Sequence, residues 1–135
     1  YYNTDKFPFY GEAMMQHCMA FRTMLDAGVH ATAGSDFSPG PFAPLMGIQG
    51  MVTRTGWDGT SWGVNQRISV DEAIRVNTLN GAYASHEEHS KGSIAVGKLA
   101  DFVMLAEDPH TVKAETIKDI TIVRTVVGGT TMYEG

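Results

Sequence analysis

The chain has 135 residues, 43% of them apolar and 19% charged, with fifteen Gly and five Pro; that is enough for one core, too little for two full domains, and too poor in Gly and Pro for a disordered low-complexity chain. Fifteen acidic side chains against ten basic ones leave a net charge of −5, and no basic block draws the chain to nucleic acid or to an anionic membrane. The single Cys18 excludes an internal disulfide and a cysteine-caged metal, and no apolar stretch approaches the roughly 18 residues of a membrane span, so the composition reads as soluble and cytoplasmic.

The chain opens Tyr1-Tyr2-Asn3, with neither an initiator Met nor a basic-then-apolar targeting pattern, and reads as the tail of something longer. From Glu12 to Ala27, Met14, Met15, Cys18, Met19 and Leu25 recur at the spacings of an amphipathic helix. Gly28 is placed to end it in the left-handed conformation. Val29 to Ala33 follows at once, a short run of small and β-branched residues that stops at Gly34, Ser35 and Asp36, as a buried parallel strand would.

Residues 37 to 67 hold Pro39, Pro41, Pro44 and six glycines, with a short helical run from Pro44 carrying Leu45, Ile48 and Val52 on one side. A loop this long, bearing Phe37, Phe42, Trp57 and Trp62, reads as a lid. Ser69 followed by Glu72 has the spacing of a capping box and predicts a helix running to about Tyr83. From Ser90 the texture turns to β. Asp101 to Leu105 and Ile120 to Val127 read as strands, and Gly128-Gly129 as the two-residue turn of a hairpin returning through Thr130 to Tyr133.

Asp36 carries the most chemistry. It closes a predicted strand and opens a glycine-rich loop, where parallel α/β folds place catalytic groups; a carboxylate there binds a metal or takes a proton, or simply caps the turn. The five histidines, His17, His30, His86, His89 and His110, show no zincin spacing; His86 and His89 bracket Glu87 and Glu88 and read as a solvated helix end. Cys18 and the Met-rich helix read as core. No phosphate-binding glycine motif and no nucleophile elbow is present.

Taken in order, the pieces resemble the C-terminal part of the metal-dependent amidohydrolase superfamily, and most closely its family 3, the N-substituted formamide deformylase-like group. The segment FRTMLDAGVHATAGSDF (21–37) is similar to the last barrel helix and eighth strand ending in Gly-Ser-Asp. PLMGIQGMVTR (44–54) and SVDEAIRVNTLNGAYA (69–84) are similar to the loop and helix that follow, and GSIAVGKLADFVML (92–105) and TVVGGTTMY (125–133) to the returning strands.

The resemblance implies an α/β fold: a C-terminal fragment of a (β/α)8 TIM barrel in residues 1–90, with the lid-like loop 37–67, and the C-terminal strands of a small β-sandwich in 91–135. It implies a hydrolase of non-peptide C–N bonds in small amide-like substrates. In such an enzyme a water activated by a divalent metal, Zn by expectation, attacks, and Asp36 serves as general base and metal ligand. The family's other metal ligands have no counterpart here, and a barrel takes roughly 250 residues. The chain alone is therefore expected to be inactive, with exposed strand edges that favour a homo-oligomer or self-association. The alternative reading is a stand-alone binding or assembly module derived from such a tail.

Overall fold

The computed structural model describes residues 3–38 and 40–135, with residues 3–8 described by backbone alone. Five helices come first: α1 (Asn3–Met15), kinked at Gly11, then α2 (Phe21–Asp26), α3 (Pro44–Thr53), α4 (Val70–Asn77) and α5 (Leu79–Ala84). Strands β1 (Phe102–Leu105), β2 (Ile122–Val127) and β3 (Thr130–Glu134) follow, with 3-10 turns at Val64–Gln66 and Ala114–Asp119.

The single helix expected over Glu12 to Ala27 is broken, and the reason is tertiary. Met19 takes φ 49°, and the carbonyls of Cys18 and Met19 accept from the Arg54 guanidinium at 2.8 and 3.3 Å. The Thr23 amide, which a continuous helix would direct to Met19, donates instead to Gln66 Oε1 at 3.0 Å, while Gln66 Nε2 donates to the Thr23 hydroxyl at 2.7 Å. Four long-range hydrogen bonds have replaced the local ladder. The Met stripe is accordingly split: Met15 is buried, whereas Met14 and Met19 are exposed. Beyond the break, α2 ends as its sequence demands. Gly28 takes φ 75°, its amide donates to the Leu25 carbonyl, and the Val29 amide reaches back to Met24, the paired bonds of a Schellman motif.

Val29 to Ala33 forms no strand ladder among the described residues, and Val29 is exposed. A buried parallel strand takes its bonds from neighbours on either side, and the strands described here all belong to a separate antiparallel sheet. Side chains hold the segment instead: Asn80 Nδ2 donates to the Ala31 carbonyl at 2.8 Å, and the Thr32 hydroxyl donates to the Val76 carbonyl at 3.4 Å.

The capping box forms as expected, with Ser69 Oγ accepting from the Glu72 amide and Glu72 Oε2 from the Ser69 amide. The helix behind it does not run through to Tyr83; it breaks at Thr78. Asn77 Nδ2 donates to the Ala73 carbonyl and the Thr78 hydroxyl to the Ile74 carbonyl, each at 2.8 Å, so these short polar side chains compete for the acceptors of the ladder.

One hydrophobic cluster joins the two halves of the sequence: Ile48 and Met51 of α3, Ile68, Ala73 and Val76 around α4, Ile117 of the second 3-10 turn and Ile120 just after it. Much of the 37–67 stretch therefore belongs to packed structure, through α3 and the buried Thr53, Arg54 and Gln66. Its outward parts are the tip that carries Phe37 and Phe42 and the turn that carries Trp57. The sheet has the order β1-β2-β3, antiparallel throughout, with Phe102 opposite Val126 and Thr125 opposite Tyr133. Gly128 and Gly129, at φ 56° and 78°, form the expected hairpin turn.

Two measurements check this packing. Ile117 is fully buried, and Ile117→Ala is expected to lower unfolding free energy in urea by about 2–5 kcal/mol. Gly63 sits at φ 56°, where a Cβ would lie 2.5 Å from the Met15 carbonyl oxygen, whereas one on Gly47 in α3 would meet nothing within 4 Å. Gly63→Ala is expected to cost about 1–3 kcal/mol, while Gly47→Ala leaves stability unchanged or raises it by about 0.5–1 kcal/mol.

Candidate functional site at the Asp36 tip

Asp36 stands at the outer end of the Val29–Ser35 segment, exposed, with φ 49°. The backbone turns tightly behind it. The Gly40 amide meets the Asp36 carbonyl at 3.4 Å, and a Cβ on Gly40 would come within 2.6 Å of the Ser35 carbonyl oxygen, so glycine there permits the close approach. Among the described residues no backbone amide or side chain donates to the Asp36 carboxylate, which leaves it free to take a proton or a cation. Beside it Phe37 and Phe42 meet edge to face, 5.5 Å between ring centroids, both exposed. The tip thus presents one carboxylate beside an aromatic pair.

The support beneath the tip comes from α4 and α5. Asn80, 3% exposed, and Thr32 tie the segment leading to Asp36 onto these helices through the two bonds already described. The helices are tied to α2 in turn. Arg22 donates from Nη1 to both Glu72 oxygens at 2.8 and 2.9 Å and from Nε to Asp26 at 2.8 Å. The Ser69 amide, with further help from Arg22, holds the Glu72 carboxyl below its ordinary range. Beside this pair lies an open depression of about 290 Å³ whose lining includes Arg22, Val29, His30, Glu72, Arg75 and Asn80. Asp36 is not part of that lining.

The other titratable candidates do not gather at Asp36. His17 is exposed on the turn after α1, and His30 stacks edge-on against Tyr83 at 4.4 Å. His86 takes φ 59° and occupies the left-handed position of a second Schellman turn, its amide bonding Tyr83 while the Glu87 amide bonds Ala82. His89 is exposed beside Glu88 at 3.6 Å. Among the described residues no three His, Cys, Asp or Glu side chains are placed to hold one metal ion. The donor set present, one carboxylate at the tip, does not by itself fit the three or four ligands of a zinc site.

Two arrangements escaped the sequence reading. Arg54, 8% exposed and left-handed at the end of α3, donates to the carbonyls of Cys18, Met19 and Trp62, and burial lowers its pKa. His110 bridges Asp108 at 2.7 Å through Nδ1 and Asp71 at 2.9 Å through Nε2. The Asp71 partner of His110 lies 39 positions away in the sequence, beyond any local spacing rule. No described helix is long and apolar enough to cross a membrane.

The profile of the amidohydrolase family matches residues 7–133. YtcJ of Bacillus subtilis strain 168 is 33% identical over 92% of this chain and 24% of its own length. N-substituted formamide deformylase of Arthrobacter pascens is 34% identical over 84% of this chain and 21% of its own length. A crystal structure of an amidohydrolase from Thermotoga maritima MSB8 superposes with a TM-score of 0.60 over 85% of this chain and 26% of that one, at 19% identity, a likeness of fold. The chain therefore spans a fifth to a quarter of the length of these curated relatives. With the match running nearly from end to end, the chain belongs to the amidohydrolase family, within its family 3 group.

Proposed function

We propose that this chain is the C-terminal portion of a hydrolase that cleaves non-peptide C–N bonds in small amide-like molecules, with Asp36 as the proton acceptor. The observation that carries this reading is the Asp36 tip itself: an exposed carboxylate without a hydrogen-bond donor among the described residues, braced from below by Asn80 and Thr32. A base must be available to its proton and held in place. The availability of Asp36 and the anchoring of its segment at Ala31 and Thr32 support this reading, and the alternative role of turn cap would require an amide bonded to its carboxylate.

In this reading residues 1–90 contribute the last part of a (β/α)8 barrel, and Val29–Ala33 is its eighth strand, completed by pairing with neighbours. Residues 91–135 contribute strands to a small sandwich. The uneven burial supports it: Val29 is half exposed and every residue of β3 is exposed, as expected of surfaces that further chain or a second copy would cover. Phe37 and Phe42, next to Asp36, would close against a bound substrate. The similar deformylase from Arthrobacter pascens bears the name of an N-substituted formamide, and we infer a substrate of that small amide class.

A divalent metal, zinc by expectation, would supply acidity to the attacking water in the complete enzyme. The described residues offer it one carboxylate, so its remaining ligands would come from outside this chain. What Asp36 does is defined without it: its carboxylate takes the proton that the water gives up as the C–N bond is attacked, and passes it to the departing nitrogen.

In the parent protein, Asp36→Asn keeps the size of the side chain and removes the base; turnover of an amide substrate is expected to fall by roughly 10²-fold or more with an unchanged circular dichroism spectrum. Turnover within about threefold of the wild type would remove Asp36 from this role. Elemental analysis of the 135-residue chain after dialysis against a weak chelator should find far less than one zinc per molecule. Stoichiometric zinc would mean that the chain holds a complete site of its own.

A further inference from the structure

We propose that His110 is a protonation-dependent latch, fastening the first turn of α4 to the connection between β1 and β2 and releasing it when the imidazole loses its proton. The geometry defines the closed state. Nδ1 lies 2.7 Å from Asp108 Oδ1, and Nε2, across the ring, lies 2.9 Å from Asp71 Oδ1. An ionised carboxylate only accepts hydrogen bonds, and a neutral imidazole has one N–H to give. In the neutral ring one of the two contacts would therefore set a nitrogen lone pair against an anionic oxygen. Only the imidazolium satisfies both.

The surroundings reinforce that charge state. The groups that face the ring are Asp108 from its own turn and Asp71 from α4; both are acidic, and both raise the pKa of His110, Asp108 more strongly. Glu72, next along α4, is engaged by Arg22 and by the Ser69 amide. Asp108 is fixed independently, since its Oδ1 also accepts the His110 amide at 2.9 Å and its carbonyl accepts from Thr111. The turn is rigid on its own account, and protonation decides whether it is bonded to α4.

The two anchors belong to structurally important elements. Asp71 opens the helix whose Val76 carbonyl receives Thr32, while Asp108 opens the connection that carries Ile117 into the core. The ring is exposed, so the latch adjusts local order rather than overall stability. With a folded pKa above the free value, its contribution is complete below roughly pH 6.5 and is lost as pH rises through the folded pKa.

An NMR pH titration of the whole chain tests this, and it does not depend on the hydrolase reading. The His110 ring is expected to titrate with a midpoint above about 6.5. The amides of Asp71 and Glu72 should shift with the same midpoint, and Asp71→Asn should lower the His110 midpoint. In His110→Gln the step at the α4 amides should vanish. A ring midpoint at or below the free value, α4 amides indifferent to it, or the same α4 step persisting in His110→Gln would each overturn the latch.

Discussion

The Arg54 guanidinium organises the first half of this molecule. It is a charge removed from water, and such a group persists only when its donors are taken up; here the carbonyls of Cys18, Met19 and Trp62 do so. Those carbonyls lie on two separate stretches of chain, one before α2 and one after α3. The consequence is that α1 cannot continue into α2, because two acceptors of the helical ladder are spent on Arg54. Gly63 must also stay small, since the Met15 carbonyl and the Arg54 guanidinium both crowd its α-carbon. One buried cation thereby sets a helix break, a left-handed turn and the path of the chain between α3 and α4.

From α4 and α5 a second set of polar bonds reaches the Asp36 tip. Asn80 and Thr32 hold the segment by a carbonyl and a hydroxyl, one residue apart, and leave the next four positions to run outward. The base of the segment is fixed to α4, which contributes to the core, and to α5, while among the described residues nothing is bonded to the Asp36 carboxylate at its outer end.

The parts legible in the sequence are those whose cause is local. The capping box at Ser69 and Glu72, the glycine stop after α2, and the Gly128-Gly129 hairpin each need only residues a few positions apart, and each forms. The parts that misled depend on distant partners. The stripe from Met14 to Leu25 has helical spacing, yet the break follows from Arg54 and Gln66, both more than thirty positions onward. Val29 to Ala33 has the composition of a buried strand, and composition cannot supply a neighbour to pair with. Asp36 is singled out in the sequence by its place after that run. Asn80 carries no such signal, because a buried Asn that bonds a carbonyl 49 positions back looks in the sequence like any helical Asn.

Arg54 and His110 show how environment divides two cations between fixed and variable roles. Arg54 is ringed by neutral carbonyls and keeps its charge despite burial, since a guanidinium does not lose its proton in proteins; its bonds are constant and it can serve as a structural centre. His110 stands in water between two carboxylates, with an ordinary pKa close to neutrality. The acids favour the charged ring, yet solvent leaves its proton exchangeable, and the bonds it makes to Asp71 and Asp108 vary with pH. Exchanging the two side chains would defeat both purposes: an imidazole at position 54 could shed its proton and leave acceptors unfilled, and a guanidinium at position 110 would hold α4 at every pH.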